Sequence, residues 1–132
     1  MDIEALRNDV LTMRAKLLEG HPNHSQLFDI KHDRGGMVDI EFIVQYLVLA
    51  HAPRHYELTA NLGNIALLHM AGGLHLIPSA LASAVADAYR EYRRLQHKLR
   101  LNGAQYARVE HETVAPYIEA TTALWQTVFG RD

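Results

Sequence analysis

Two acidic residues, Asp39 and Glu41, open an otherwise apolar run that directly follows the pair Gly35-Gly36. These residue types are suited to nucleotide chemistry, because glycines let backbone N–H groups approach phosphates and an acid-x-acid pair can bind Mg²⁺. On a strand, residues i and i+2 point to the same side, whereas on a helix they diverge by about 200°. We expect Met37 to His51 to be helical, so the two carboxylates should serve different faces.

A second interpretation of Asp39 and Glu41 is electrostatic. Acids in the first turn of a helix complement its dipole and contribute about 0.3–1 kcal/mol each. Glu41 also shares a stripe with Gln45, and a carboxylate on a buried helix is costly unless it meets a cation or hydrogen-bond donors. The nearest cations in the sequence are Lys31 and Arg34.

The nine histidines raise the question of a metal site. Two pairs have helix-like spacing, His21 with His24 and His51 with His55, but each pair encloses a proline. Neither is therefore a helical ligand pair, and we expect these side chains at the surface or the edge of the core, with no metal bound.

The segment from Tyr89 to Arg100 is basic with interleaved aromatic residues, a composition that also occurs in RNA-binding and phosphate-binding helices. Tyr92 and Leu95 belong to its apolar stripe, however, and cations in the last turns of a helix oppose its dipole. We therefore expect a solvated basic face that does not bind nucleic acid.

The elements that must position these residues are helices. The sequence predicts an all-α bundle of five helices with short connections and a short extended piece before the second helix. The predicted helices are Ile3 to about Gly20, Met37 to about His51, about Ala60 to Ala71, a fourth that starts after Pro78-Ser79 and is closed by Asn102-Gly103, and about Val114 to Phe129. The extended piece is Leu27 to Ile30. Thr59 and Thr113 are the expected N-caps of the third and fifth helices, and Pro116 is expected in a first turn.

Composition points to one soluble domain. The 132 residues are 48% hydrophobic and 21% charged, with a net charge of −2 and no cysteine. No apolar run reaches the ~18 residues that a membrane span needs, and the charge does not predict binding to nucleic acid or acidic membranes. The absence of cysteine fits a cytoplasmic protein. A first helix that starts almost at residue 1 suggests a piece of something longer.

One stretch resembles a known family, the bacterial glutamine synthetase adenylyltransferases, which are also adenylyl-removing enzymes. The stretch is "FDIKHDRGGMVDIEFIVQYLVL", Phe28 to Leu49, and it is similar to the family's F-D-[IL]-K loop, Gly-Gly pair and [VT]-D-I-E-F-x-x-Q-Y-L-V-L helix. Upstream, "LRNDVLTMRAKL" is similar to the family's preceding helix, and "ALWQTVFG", Ala123 to Gly130, resembles its closing helix.

The resemblance implies a large enzyme with two nucleotidyltransferase modules, each followed by a helical domain. One half attaches AMP to glutamine synthetase and the other half removes it. Each half is implied to bind Mg²⁺ and a nucleotide, such as ATP, at a Gly-Ser … Asp-x-Asp site. This sequence has no Gly-Ser dipeptide. The resemblance therefore implies that residues 1–132 are the C-terminal helical domain of the adenylylating half, with no catalytic residues, no bound cofactor and no AMP transfer of its own.

The same resemblance implies contacts with the preceding nucleotidyltransferase module, with glutamine synthetase and with the signalling protein PII. The residues implied to face the module, either completing its nucleotide cleft or bracing it, are Lys31, Gly35, Gly36, Asp39, Glu41 and Gln45. The alternative is a helical protein-interaction domain, with the acids as internal struts, such as that of the related uridylyltransferase that modifies PII.

Overall fold

The computed structural model describes residues 2–130 as five helices and one very short antiparallel ribbon. The helices are α1 (Ile3–Gly20), α2 (Met37–His51), α3 (Asn64–Gly73), α4 (Ser79–Leu101) and α5 (His111–Phe129). A short 3₁₀ helix covers Tyr56–Thr59, and β1 (Phe28–Asp29) pairs with β2 (Arg108–Val109). The all-α bundle predicted from the sequence is therefore confirmed. None of the helices within residues 2–130 is long and apolar enough to cross a membrane.

Helix α2 is the centre of the bundle and packs against each of the other four helices. Ile40 and Ile43 are fully buried on it, and they meet a core that includes Leu68 of α3, Tyr92 of α4 and Leu124 of α5. The sequence pattern of α2 is apolar on nearly every side and predicts a helix buried by its neighbours, but one side of the helix faces solvent. Glu41 and Gln45 are exposed, so α2 has one solvent-facing stripe.

Helix α1 packs against the core through only part of its predicted apolar stripe, which is Ile3, Leu6, Val10, Met13 and Leu17. Its expected apolar face included Ile3 and Met13, but these side chains are 45% and 59% exposed. The buried residues of this helix are Val10 and Arg14. A charged side chain thus takes a core position, with consequences for the loop after α1.

Two predicted helix starts are wrong. Thr59 does not cap α3, because it belongs to the 3₁₀ helix, where its hydroxyl donates to the carbonyl of Tyr56 over 2.6 Å, and α3 begins only after Gly63. Thr113 does not cap α5. The pairing of β2 with β1 fixes the chain up to Val109, so α5 begins immediately afterwards, at His111.

The earlier start of α5 changes the position of Pro116. It is the sixth residue of the helix and lies in the second turn, not the first as predicted. Pro116 is exposed to solvent. The missing N–H would otherwise bond to the carbonyl of Glu112.

Candidate functional site

The carboxylate of Asp39 lies inside the protein and joins three parts of the chain. Asp39 is 1% exposed, and its Oδ1 accepts a hydrogen bond from Nε of Arg14 on α1. Its Oδ2 accepts from the backbone N–H of Gly35 at 2.7 Å and from Nε of Arg34 at 3.2 Å. Arg14 also donates to the carbonyl of His32 at 2.6 Å. Asp39 therefore connects α1, α2 and the loop between them.

The glycine pair serves close packing. A Cβ on Gly35, whose φ is +91°, would lie 2.9 Å from Cγ2 of Ile118 on α5. A Cβ on Gly36 would lie 2.4 Å from the carbonyl oxygen of Ile30. Both glycines are buried, and the carbonyl of Gly35 accepts a hydrogen bond from the hydroxyl of Tyr92 at 2.8 Å. Their backbone faces protein, which gives this pair no open side toward a phosphate.

Arg34 connects the loop between α1 and α2 to α5. Its guanidinium carbon lies 4.5 Å from the centroid of the Trp125 ring, while its Nε donates to Asp39. Trp125 belongs to the segment that resembles the family's closing helix. The two stretches that carry the resemblance thus meet through a cation–π contact.

Asp29 organises the loop that carries Lys31. Its Oδ1 accepts from the backbone N–H groups of Lys31 and His32 at 3.0 and 2.9 Å, and its Oδ2 accepts from Nε of Arg108 at 3.1 Å. The backbone at Lys31 is therefore fixed, and its side chain is exposed. Burial, followed by the stacked ring of His21, lowers the pKa of His32 below 6.5, although the Asp29 carboxylate opposes that shift.

Glu41 lies on the opposite side of α2 from Asp39. Its Oε2 accepts a hydrogen bond from the hydroxyl of Tyr89 at 2.8 Å, and Nδ2 of Asn64 donates to the same hydroxyl at 3.1 Å. Burial, together with this bond to Glu41, raises the pKa of Tyr89 to about 12, so the phenol remains a proton donor at neutral pH. The contact holds an exposed carboxylate in one place.

A shallow groove of about 210 Å³ surrounds Glu41 on the exposed face of α2. It is lined by Leu17, Val38, Glu41, Phe42 and Gln45. The groove is thus apolar at its base with two polar groups at its rim. We call this surface the α2 groove.

The six site residues predicted from the sequence fall into two groups. Gly35, Gly36 and Asp39 are buried, whereas Lys31, Glu41 and Gln45 are exposed. Arg34 was expected as a cation near Glu41, but it pairs with Asp39 instead. Lys31 forms no ion pair with either acid among residues 2–130.

Sequence reasoning missed Arg14 and Tyr89, the partners of the two acids. Arg14 had a signal, because it lies four residues after Val10 and three before Leu17 and so falls on the apolar side of α1. The sequence carried no signal for Tyr89, because its pairing with Glu41 depends on how α4 crosses α2.

These residues do not form a site for Mg²⁺ and ATP. The oxygens of Asp39 are occupied by two guanidinium groups and a backbone N–H, and Glu41 projects to the other side of α2. Within residues 2–130 no group of three or more histidine, aspartate or glutamate side chains is arranged to hold a metal ion. The donor set does not fit the metal that the family resemblance implies for the whole enzyme.

Comparison with known proteins shows the family. The model of the family described as GlnD PII-uridylyltransferase matches residues 11–122. The bifunctional glutamine synthetase adenylyltransferase/adenylyl-removing enzyme of Bordetella bronchiseptica is 58% identical over 96% of this chain, which covers 14% of that relative. The enzymes of the same name from Burkholderia mallei and Nitrosomonas europaea are 54% and 48% identical over 98% of this chain, which covers 14% and 15% of them.

The chain therefore spans about one-seventh of the length of these curated relatives. Its similarity to them covers almost all of its own residues. The chain belongs to the family described as GlnD PII-uridylyltransferase, and its curated relatives in that family are bifunctional glutamine synthetase adenylyltransferase/adenylyl-removing enzymes.

Proposed function

We propose that this chain is a helical domain of a bifunctional glutamine synthetase adenylyltransferase, and that it positions a nucleotidyltransferase module without taking part in bond making. In the whole protein, ATP and Mg²⁺ bind to that module and glutamine synthetase receives or loses AMP. PII is the expected regulatory partner and the cytoplasm the expected location. The chain itself is expected to bind neither cofactor.

The observation that carries the proposal is the two-sided character of α2. Asp39 is committed to internal contacts, whereas Glu41 is exposed, immobilised by Tyr89 and set at the rim of the α2 groove. A fixed carboxylate beside an apolar groove is suited to dock another protein surface, because little side-chain entropy is lost on contact. The occupant we propose is the nucleotidyltransferase module of the same polypeptide.

Under this proposal the predicted site residues divide their work. Gly35, Gly36 and Asp39 keep the loop in one conformation, and Glu41, Gln45 and Lys31 make the contact with the module. The first group is expected to matter for stability and the second for catalytic rate. This difference makes the proposal testable with conservative substitutions.

The test compares Glu41→Gln with a matched control, Glu119→Gln, in the full-length protein. Glu119 is an exposed acid on α5, outside the α2 groove, so both variants lose one surface charge. We expect Glu41→Gln to lower the rate of AMP attachment to glutamine synthetase at least ~10-fold, which corresponds to about 1.4 kcal/mol. Glu119→Gln should keep its rate, and both should melt like the parent.

AMP removal is expected to survive in Glu41→Gln, because the resemblance assigns that activity to the other half of the enzyme. Both activities are measured separately with labelled AMP. A normal attachment rate in Glu41→Gln contradicts the proposed contact. Equal loss of both activities, or a lowered melting temperature, indicates general damage to the protein instead.

A second candidate is the corresponding helical domain of a PII uridylyltransferase, and the description of the matching family favours it. The names of the curated relatives favour the adenylyltransferase. The acceptor decides between them. Full-length protein that transfers UMP to PII, and no AMP to glutamine synthetase, identifies the second candidate.

A further inference from the structure

Three grooves adjoin one another along α4 and the loops beside it. The first, of about 480 Å³, lies between α4 and Ile65 of α3, and the second, of about 190 Å³, shares Gln96 and Arg100 with it. The third, of about 340 Å³, shares Asp29, His32 and Tyr106 with the second. Neighbouring grooves thus share lining residues, and we call the three together the basic valley.

The charge along the basic valley is strongly one-sided. Its cationic lining consists of Arg90, Arg93, Arg94, Arg100, Lys31 and Arg108. Asp29 is the one acid among the lining residues of the three grooves. Its carboxylate accepts hydrogen bonds from two backbone N–H groups and from Arg108. The rest of the protein more than balances these cations, since the net charge of the chain is −2.

Three of the valley's cations are available to a partner. Arg90 and Arg94 pair with Asp87 and Glu91 on their own helix. Arg93, Arg100 and Lys31 are exposed and form no ion pair with another of residues 2–130. Arg93 and Arg100 are seven residues apart on α4, which places them on one face and about 10 Å apart along the helix axis.

We propose that the basic valley binds an acidic, extended polypeptide segment through its aspartate or glutamate carboxylates. Arginine forks match carboxylates in paired hydrogen bonds. The ~10 Å between Arg93 and Arg100 equals the length of about three extended residues. The cations are spread along the depression instead of converging on one point, which favours a chain over a single small anion. The basic valley shares no lining residue with the α2 groove, although it includes Lys31, which we propose contacts the module. The test therefore changes Arg93 and Arg100 and does not involve AMP transfer.

The observations favour a protein segment over a nucleic acid. Nucleic-acid-binding domains are commonly basic overall, with an isoelectric point above about 9, whereas the isoelectric point here is about 6.5. Single strands also need exposed aromatic faces on which bases stack. Tyr106 is the exposed aromatic of the valley, but the Arg108 guanidinium lies 3.9 Å from its ring centroid and covers one face.

The experiment titrates the 132-residue chain with a fluorescent peptide of about ten glutamates, which extends to roughly 33 Å. We expect saturable one-to-one binding that weakens as salt is raised from about 50 to about 200 mM. The variant Arg93→Ala/Arg100→Ala should bind at least ~10-fold more weakly, a loss of about 1.4 kcal/mol. The matched control is Lys16→Ala/Arg54→Ala, which removes two exposed cations outside the valley and should bind like the parent.

Melting curves verify that both double variants are folded, as expected for exposed positions. Equal weakening in the two variants shows attraction by net charge alone and overturns the proposal. So does the absence of binding tighter than ~1 mM at the lower salt. An oligodeoxythymidylate of about the same extended length that binds more tightly than the peptide identifies a nucleic-acid surface and overturns the proposal as well.

Discussion

At the scale of single residues, the contrast between Asp39 and Glu41 explains why two acids begin an apolar helix. Asp39 neutralises Arg14, a cation that is 1% exposed and that also fixes the His32 carbonyl. The carboxylate of Glu41 lies at the surface, where it accepts a hydrogen bond from the hydroxyl of Tyr89. Their separation on α2 follows from the helical repeat, which was the reason for expecting different faces.

The variant Asp39→Asn is predicted to destabilise the protein by about 3–5 kcal/mol, because it leaves Arg14 as a buried charge without its counter-ion. Unfolding by urea, followed by circular dichroism, measures this loss. Glu41→Gln is the matched control and should change the free energy of unfolding by no more than about 0.5 kcal/mol.

A double-mutant cycle with Arg14→Met tests the cause. The loss in Asp39→Asn/Arg14→Met should be clearly smaller than the sum of the two single losses, because the double variant no longer buries an unpaired charge. Additive losses mean that the two residues contribute independently, which contradicts the role assigned to the pair.

The sequence was a good guide to these residues but not to their partners. The spacing of Asp39 and Glu41 predicts that they face different sides. The sequence places Arg14 on the apolar side of α1, but its pairing with Asp39 depends on how α1 packs, with Met13 outward. A glycine pair likewise permits phosphate binding or close packing. The 2.9 Å from a Cβ on Gly35 to Ile118 favours packing, and that contact joins residues 83 positions apart in the chain.

At the scale of elements, α5 is the helix whose local sequence agrees least with its structure. Its start is determined by the β1–β2 pairing and not by a threonine cap, and Pro116 consequently lies in its second turn. The hydrophobic periodicity of a segment reports only on that segment, so it cannot show that two short strands far apart in the sequence pair with each other. The predicted extent of α2, by contrast, is correct, since a long apolar run bounded by Gly36 and Pro53 has few alternatives.

The variant Pro116→Ala is therefore predicted to stabilise the protein by about 2 kcal/mol. Alanine restores a helical N–H and removes the ring from the carbonyl of Glu112, a gain of roughly 3 kcal/mol, offset by about 0.4–1 kcal/mol of added entropy in the unfolded chain. Thermal and urea unfolding measure the change. Thr113→Ala is the control and should be nearly neutral, because Thr113 does not cap the helix. A destabilised Pro116→Ala variant shows that the proline itself is needed for the packing of α5, which contradicts this prediction.

At the scale of the whole molecule, the helices enclose a hydrophobic core, but within residues 2–130 the acidic side chains do not form a metal site. Helix α2 contacts every other helix through its buried residues, so we expect the bundle to fold without a partner that covers its centre. Of the surfaces described here, the α2 groove and the basic valley are suited to other proteins, while the acids are not arranged around a metal. Stability and contact are thus served by different faces of the same helices.

The last prediction follows from that separation: the 132-residue chain alone should fold cooperatively and transfer no AMP to glutamine synthetase. A domain of this length buries roughly two-thirds of its unfolded surface, so we expect a single unfolding transition with a free energy of about 6–15 kcal/mol. Transfer requires Mg²⁺ to be held near the nucleotide. Asp39 and Glu41 are bonded to protein donors, and within residues 2–130 no group of three or more acidic or histidine side chains is placed to hold a metal ion. The assay incubates the chain with labelled ATP, Mg²⁺ and glutamine synthetase, with the full-length protein as the positive control. Labelled AMP on glutamine synthetase after incubation with the chain alone contradicts the proposed division of labour, and a non-cooperative melt shows that the bundle depends on its neighbour for folding as well as for activity.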